Sequence, residues 1–185
     1  MAKIMKLTAC FATIAAMVCT TIYIISRSGL CFSLAITFWT MAYHFLMRLI
    51  VGHLFDGILH NTVDYRRKWF RQSRFENMLY SKLKVKRWKT RMPTYAPQNF
   101  DSRVHSWDEI AGAMCQAELV HEVIIVLSFL PIAVSVYFGA FWVFLVTSLL
   151  AACYDGLFVI MQRYNRPRVI KLINRSGDTI LSEDN

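Results

Sequence analysis

The sequence predicts an all-α integral membrane protein with four transmembrane helices and a cytosolic amphipathic helix at the membrane interface. Hydrophobic residues make up 56% of the 185 residues, and the mean hydropathy is +0.37. A soluble domain of this size could not bury so much apolar surface. Four apolar stretches are also long enough to cross a hydrocarbon core of about 30 Å at about 1.5 Å per helical residue. We therefore expect a single membrane domain with spans at residues 7–26, 30–47, 117–138 and 140–162.

The first predicted span has an alternative interpretation as a secretory signal. The "MAKIMK" that precedes it is basic, as such signals are. The apolar stretch is, however, longer than the core of a usual signal, and no small-residue cleavage site follows before the second span. We expect the segment to be retained as a span.

The distribution of lysine and arginine predicts the orientation in the membrane. Of the 21 such residues, two precede the first span, twelve lie in residues 66–103 and five follow the fourth span. Cytoplasmic loops are enriched in these residues. We therefore expect both termini, the basic segment of residues 61–116 and the tail of residues 163–185 in the cytosol. Two short connections then face outward, one of them a tight hairpin turn around Gly139.

Apolar residues recur at helical spacing within the basic segment. They are Phe75, Met78, Leu79 and Leu83. With cations at the other positions, this pattern predicts an amphipathic helix in the plane of the lipid headgroups. Trp69, Phe70 and Trp88 would anchor it as interfacial aromatic residues. Pro93 and Pro97 would end it, and "SWDE" at residues 106–109 predicts a new helix start.

Two kinds of anion could explain the cations of the basic segment. Anionic lipid attracts each well-placed cation by about 1 kcal/mol, and composition alone favours this interpretation. The more specific alternative is that these cations bind a phosphorylated donor such as coenzyme A, because lysine and arginine bind phosphates. The residues that would hold it are Lys84, Lys86, Arg87, Trp88 and Lys89. Nucleic acid is not expected as a partner, because a membrane-anchored helix offers no element that reads a groove.

Three ionisable residues lie at the cytoplasmic end of the third predicted span. The sequence "QAELVHEVI" places Glu118, His121 and Glu122 at i, i+3 and i+4, on one helical face. Such residues are costly at membrane depth, which points to a function. A carboxylate one turn from an imidazole can orient it and raise its basicity, which suits a general base. The alternative is a set of polar contacts between helices at the entrance of the span.

Other polar residues near the spans point less clearly to chemistry. Asp155 and Gln162 share a helical face, and we expect Asp155 to pair with another buried polar group, as structural glue or as part of a substrate site. His53, Asp56 and His60 share a face after the second span, but three ligands match a metal site only in part, so we predict no metal. The five cysteines are scattered without a Cys-x-x-Cys pair, which favours buried thiols over disulfides or zinc.

The stretch "QRYNRPR" at residues 162–168 directly follows the fourth span. Pro167 disfavours helix at the preceding residue, so we expect a turn that bends the chain back along the headgroups. This turn is either a positive-inside stop signal or an anion site that holds donor phosphates or a developing oxyanion. The residues that would form the anion site are Arg163, Tyr164, Asn165, Arg166 and Arg168.

Three strings give the chain a family resemblance. "QRYNRPR", "AELVHE" at the start of the third span and "KVKRWKTRMP" in the basic segment together resemble the glycosyl-4,4'-diaponeurosporenoate acyltransferase family, small bacterial membrane proteins of carotenoid biosynthesis. The resemblance runs over residues 69–172, and the N-terminal half matches no motif of the family. It implies that a fatty acyl group is transferred to a sugar hydroxyl of a glycolipid, a glycosylated carotenoid-like acceptor, in the bacterial cytoplasmic membrane. The partners would be membrane lipids, a lipid-linked acceptor and an activated acyl donor such as acyl-CoA, with no cofactor.

In that reaction His121 would be the general base on the acceptor hydroxyl and Glu118 would orient it. Two other classes of function stay open. Small membrane methyltransferases and reductases bind S-adenosylmethionine or NADPH at a similar polar helix entrance, although no glycine-rich dinucleotide fingerprint is present here. A scaffold that uses Glu118, His121 and Asp155 only for contacts between helices is the non-enzymatic alternative.

Overall fold

The chain is helical nearly throughout. A computed structural model describes the backbone of residues 2–183 and the side chains of residues 2–176. The helices are α1 (Ala2–Ser26), α2 (Gly29–Leu59), α3 (Arg74–Lys82), α4 (Val85–Trp88), α5 (Trp107–Leu127), α6 (Leu130–Phe138) and α7 (Phe141–Glu183), with short 3-10 turns at Lys68–Phe70, Lys89–Arg91 and Pro97–Phe100. Four helical stretches within the described residues are long and apolar enough to cross a membrane. The predicted fold class, an all-α membrane protein, is confirmed.

The helices extend beyond the apolar stretches from which the spans were predicted. Helix α2 continues past residue 47 to Leu59, and α5 begins at Trp107, ten positions before residue 117. Arg48 interrupts the apolar run of α2 without ending the helix, because its charge has a partner in the fold. The start of α5 is a reciprocal capping box: Ser106 N donates to Glu109 Oε2 over 2.8 Å, and Glu109 N donates to Ser106 Oγ over 3.3 Å. Hydropathy marks the part of a helix that suits hydrocarbon, whereas capping residues mark where the helix begins.

The third predicted span is interrupted. Helix α5 ends at Leu127, and α6 begins at Leu130 with Pro131 in its first turn. Proline has no amide hydrogen, so it is tolerated at the start of a helix and breaks one in the interior. The hairpin predicted between the last two spans is present, since Gly139 and Ala140 both have positive φ angles, 68° and 52°.

The residues group into two compact units. The first comprises the chain up to residue 54 and residues 123–155, and the second comprises residues 55–122 and the chain from residue 156 onward. In the first unit α1 packs on α2. Ala9, Ala12 and Ala16 form a buried small-residue stripe on α1, and Trp39 Nε1 donates a hydrogen bond of 3.1 Å to Thr20 Oγ1. Small residues allow membrane helices to approach closely.

A buried ion pair joins α2 to α7 within the first unit. Arg48 Nη2 contacts Asp155 Oδ2, and only 1% of the Asp155 side chain is exposed. Arg48 also donates to the carbonyl oxygen of His44 over 2.8 Å. The prediction that Asp155 pairs with a buried polar group is confirmed. Its partner is Arg48 of α2, one position past the end of the second predicted span.

The second unit contains the amphipathic helix. Ser73 Oγ caps α3 by accepting a hydrogen bond from Glu76 N over 3.2 Å. The apolar face with Phe75 and Met78 is exposed, 66% in the case of Phe75, as expected of a helix that inserts into headgroups. The helix is shorter than predicted and ends at Lys82, well before the prolines. Lys84 adopts a left-handed conformation with φ 50°, and the new direction of the chain buries the side chain of Val85 completely.

The end of α2 packs tightly against α5 in the second unit. Gln116 Oε1 accepts a hydrogen bond of 2.7 Å from Asn61 N. A Cβ atom on Gly112 would lie 2.6 Å from the carbonyl oxygen of Asn61. Glycine at residue 112 is therefore what allows the backbone after α2 to approach α5 so closely.

Candidate functional site

Glu118 of α5 lies at the centre of a set of buried charges in the second unit. Its side chain has no exposed surface. Its Oε2 lies 2.5 Å from Arg166 Nη2, and its Oε1 lies 3.2 Å from Arg163 Nη1, an ion pair without hydrogen-bond geometry. Both arginines are carried by α7. A buried carboxylate is tolerated only where charges and donors of this kind compensate its lost hydration.

Arg166 is as deeply buried as its partner. Its Nη1 lies 3.1 Å from Cys115 Sγ, and its guanidinium carbon lies 5.0 Å from the centroid of the Phe70 ring. Only 1% of the residue is exposed. Arg166 therefore holds α5, α7 and the turn at Phe70 together. The sequence predicted that its charge would bind a donor phosphate or an oxyanion, but that charge is buried and paired with Glu118.

The turn predicted at Pro167 is wrong. Helix α7 runs without interruption from Phe141 to Glu183, with Pro167 inside it. Proline cannot donate to the carbonyl oxygen of Arg163 one turn earlier, which costs a hydrogen bond. The contacts of Arg163 and Arg166, in the helical turn before Pro167, hold the helix in place, so tertiary contacts override the local preference.

Arg163 also forms ion pairs with two further carboxylates, one of them on the amphipathic helix α3. Its Nη2 lies 3.2 Å from Glu76 Oε1, and its Nη1 lies 4.0 Å from Glu122 Oε1. Glu122 in turn accepts a hydrogen bond of 3.0 Å from Trp69 Nε1. Three carboxylates thus share two guanidinium groups, and we call Glu76, Glu118, Glu122, Arg163 and Arg166 the charge cluster.

Tyr80 connects the charge cluster to α3. It is buried, and its hydroxyl group donates to Glu76 Oε2 over 3.2 Å. Burial and the neighbouring Glu76 carboxylate raise the pKa of Tyr80 well above its usual value. The phenol therefore stays protonated, and its ring packs edge to face on Tyr164 with the centroids 5.9 Å apart.

The ring of His121 packs against an aromatic side chain of α7. The imidazole stacks on Phe158 of α7, with centroids 4.5 Å apart and an angle of 6° between the planes. Stacking covers a face of the ring and leaves the two nitrogens at the ring edge to hydrogen bond in its plane. The sequence predicted that Glu118 orients His121. The two oxygens of Glu118 contact Arg166 and Arg163, and the stacking on Phe158 constrains the plane of the His121 ring, so the role of Glu118 toward His121 stays a prediction.

A basic cleft of about 370 Å³ lies between α3, α4 and α7 within the second unit. It is lined by Asn77, Tyr80, Ser81, Lys84, Val85, Lys86, Arg87 and Tyr164. Lys84, Lys86 and Arg87 are all exposed, so their charges face solvent, whereas Tyr80 and Val85 form the floor. The cleft combines three cations with two aromatic rings and amide and hydroxyl groups. These are the groups that bind phosphates and stack on a planar ring.

Tyr164 is a platform for two further cations beside the basic cleft. The guanidinium carbon of Arg168 lies 4.5 Å from its ring centroid, and Nζ of Lys89 lies 5.0 Å from it. Arg168 Nη2 also donates to the Tyr164 hydroxyl group over 2.8 Å, and Lys89 Nζ donates to Asn165 Oδ1. Partial burial, followed by the positive charges of Arg168 and Lys86, lowers the pKa of Lys89. Such crowding of cations favours the binding of an anion between them.

The structure therefore divides the predicted site residues into groups. Lys84, Lys86, Arg87 and Tyr164 line one cleft, and Lys89, Asn165 and Arg168 lie next to it around Tyr164. Trp88 stabilises the connection between α3 and α4, since its Nε1 donates a hydrogen bond of 3.1 Å to the Leu83 carbonyl oxygen. Asp155 belongs to the first unit, with Arg48.

Sequence reasoning missed Glu76 and Tyr80. They lie four positions apart on α3, the spacing at which helical side chains meet. That spacing was a signal for a polar pair on the face opposite Phe75 and Met78. Their partner Arg163 is far away in the sequence, so the signal did not indicate what the pair would contact.

The family comparison covers the charge cluster and the basic cleft. The model of the glycosyl-4,4'-diaponeurosporenoate acyltransferase family matches residues 66–175, more than half of the chain. The chain belongs to this family. It is accordingly a membrane protein of an acyltransferase family of carotenoid biosynthesis. No curated protein and no solved structure matches it.

The matched segment includes the charge cluster, the basic cleft and His121, and it excludes α1 and α2. The resemblance drawn from the three sequence strings is thereby confirmed. An acyltransferase family takes the place of the methyltransferase, reductase and scaffold alternatives.

Proposed function

We propose that this protein transfers a fatty acyl group from an activated, phosphorylated donor to a sugar hydroxyl of a lipid-linked acceptor, of the glycosylated carotenoid kind. The observation that carries the proposal is the basic cleft. Three exposed cations and Tyr164 line a space of about 370 Å³ in the same compact unit as His121, inside the segment matched by the family. A cleft of this charge suits the phosphates of an acyl thioester donor.

Lys84, Lys86 and Arg87 would bind the donor phosphates in the basic cleft, and Arg168 would add a fourth cation at its edge. Coenzyme A and the phosphopantetheine arm of a carrier protein share this chemistry, a phosphate followed by a flexible thioester arm. The two donors differ in the nucleotide, which would have Tyr164 as a ring on which to stack. Arg163 and Arg166 would act as positioning residues, because their charges are matched by carboxylates.

His121 would act as the general base. One ring nitrogen would take the proton of the acceptor hydroxyl group while the oxygen of that hydroxyl group forms a bond to the thioester carbonyl carbon. The carbon–sulfur bond then breaks, and the thiolate leaves with the proton from the imidazolium. The products are an ester and a free thiol, so atoms and charge balance with no further reactant. Stacking on Phe158 would hold the ring plane through both proton transfers.

The placement of α3 would suit an acceptor held in the bilayer. Its exposed apolar face, with Phe75 and Met78, would lie at headgroup depth, where a sugar attached to a lipid is found. We propose that both termini and the basic cleft face the cytosol of a bacterium, where activated acyl donors are made. The positive-inside rule supports this orientation, because most cations of the chain lie in the basic segment and after α7 leaves its apolar part.

The test is acyl transfer by the purified full-length chain in vesicles that contain a glycosylated carotenoid acid. With palmitoyl-CoA as donor, mass spectrometry should show the acceptor gain one palmitoyl group while free thiol appears in equal amount. The His121→Ala variant, matched by His105→Ala as a control outside the site, should lose the product. Absence of an ester product with both acyl-CoA and acyl carrier protein donors, from a folded and inserted chain, would refute the proposal.

A further inference from the structure

We propose that the first unit contains a second binding site, a pocket within the membrane for a long hydrocarbon chain that carries an uncharged hydroxyl group. This site lies outside the charge cluster and the basic cleft, and it does not depend on acyl transfer. Two independent observations carry the inference. One is an apolar cavity, and the other is a pair of buried polar side chains, His44 and Ser148, that have no hydrogen-bond partner among the described side chains.

The cavity has a volume of about 560 Å³ and is lined by residues of α1, α2, α6 and the start of α7. Pockets for small molecules commonly have volumes of roughly 300 to 1,000 Å³. Two of its aromatic residues have their polar atoms hydrogen bonded to the protein: Trp39 Nε1 donates to Thr20 Oγ1, and the Tyr43 hydroxyl donates to the Leu127 carbonyl oxygen over 2.7 Å. The walls that remain are carbon, with Phe32, Leu130 and Val134 among them, and they suit a hydrocarbon chain.

His44 and Ser148 each follow a lining residue of this cavity by one helical turn. Thr40 lines it, and His44 follows one helical turn later on α2. Phe144 lines it, and Ser148 follows one turn later on α7. Both side chains are buried, and neither the His44 ring nitrogens nor Ser148 Oγ has a hydrogen-bond partner among the described residues. A buried polar group without a partner costs about 1 to 3 kcal/mol, so a ligand that satisfies these two would gain affinity.

The local charges favour an uncharged group on the ligand. One turn after His44, Arg48 is already paired with Asp155. A carboxylate on the ligand would compete with Asp155 for Arg48, and an amine would face both Arg48 and the cost of burying a second cation. A neutral imidazole offers one donor and one acceptor, and a serine hydroxyl offers both. A ligand group that both donates and accepts hydrogen bonds would therefore complement His44 and Ser148, and a hydroxyl group does both.

The probe for the test is hexadecanol with a photoreactive diazirine in mid-chain and a terminal alkyne. The full-length protein in phosphatidylcholine nanodiscs would be irradiated with this probe, and the labelled residues would be mapped by mass spectrometry. We expect labels on residues 23–43 and 130–144. Unlabelled hexadecanol should displace the probe at a concentration about ten-fold lower than hexadecane, because the alkane leaves His44 and Ser148 without partners.

Matched variants separate the cavity from the surrounding lipid. Ala35→Phe would fill the cavity and should remove most of the labelling, whereas Leu34→Phe, on the neighbouring exposed position, should not. Ser148→Ala is a mild change that should abolish the preference for the alcohol while hexadecane competes as before. If wild-type protein is labelled equally over its exposed apolar positions, or if hexadecane competes as well as hexadecanol, ordinary bilayer lipid or water occupies the site and the proposal is wrong. The assay contains no acyl donor, so its outcome is independent of the proposed transferase activity.

Discussion

Arg166 Nη2 lies 2.5 Å from Glu118 Oε2, and neither side chain has more than 2% of its surface exposed. The two residues are 48 positions apart in the sequence, on α5 and α7. Their pairing turns an arginine that the sequence assigned to a donor phosphate into a residue that holds two helices together. The charges that remain for a donor lie in the basic cleft.

Breaking this pair should destabilise the protein strongly. We expect Arg166→Gln to lower the free energy of unfolding by about 3 to 5 kcal/mol, because it leaves the Glu118 carboxylate buried without its main partner. Thermal unfolding of the purified chain in detergent would measure the loss. Arg168→Gln is the matched control, since that exposed cation stacks on Tyr164 and should leave unfolding almost unchanged. Equal unfolding temperatures for the two variants would contradict a structural role for Arg166.

Donor affinity should depend on the basic cleft. Replacing Lys86 and Arg87 together with glutamine should raise the KM for the acyl donor about ten-fold or more, with kcat little changed, because contacts made equally in the ground and transition states are lost. Lys82→Gln provides the control, as Lys82 is an exposed cation at the end of α3 outside the cleft. A KM that stays constant in a folded double variant would place the donor elsewhere.

Loss of the general base should reduce turnover without loss of structure. His121→Ala should lower kcat by about 10² to 10⁴ if its imidazole takes the proton of the acceptor hydroxyl group. Phe158→Leu, which removes the stacked ring and keeps the histidine, should have a smaller effect on kcat. Activity of His121→Ala within a few-fold of the wild type would remove His121 from the mechanism.

Gly112 should not tolerate a side chain. In Gly112→Ala the new methyl group would meet the carbonyl oxygen of Asn61 at 2.6 Å, so the connection after α2 must move. We expect a loss of about 1 to 3 kcal/mol in the free energy of unfolding, as for other overpacked positions. Gly57→Ala is the control, because nothing lies within 4 Å of the added methyl group. If both variants unfold alike, the close approach at Asn61 is not maintained.

The orientation in the membrane can be tested by thiol labelling. A cysteine placed at Lys86 should react with a membrane-impermeant maleimide only after the cells are permeabilised, whereas one at Ser28 should react in intact cells, because the excess of lysine and arginine lies on the segment with Lys86. The parent chain with its five native cysteines supplies the background. The reverse pattern of labelling would invert the orientation and would place the basic cleft away from the cytosol.

The sequence alone predicted those features that depend on neighbouring residues. The four apolar stretches indicated membrane helices, the period of Phe75 and Met78 indicated an amphipathic helix, and "SWDE" indicated a helix start. The three sequence strings indicated the family, which the match over residues 66–175 confirms. Each of these signals lies within a few turns of chain, where spacing and composition determine the outcome.

The tertiary structure alone decided which charges meet. Pro167 predicted a turn, but the contacts of Arg163 and Arg166 with Glu118 on α5 compensate the lost hydrogen bond, and α7 continues. Asp155 needed a buried partner, and Arg48 became that partner because α2 and α7 pack within one unit. A buried charge must be paired wherever it lies in the sequence, so the choice between binding a ligand and pairing with another helix was made by the packing of the helices.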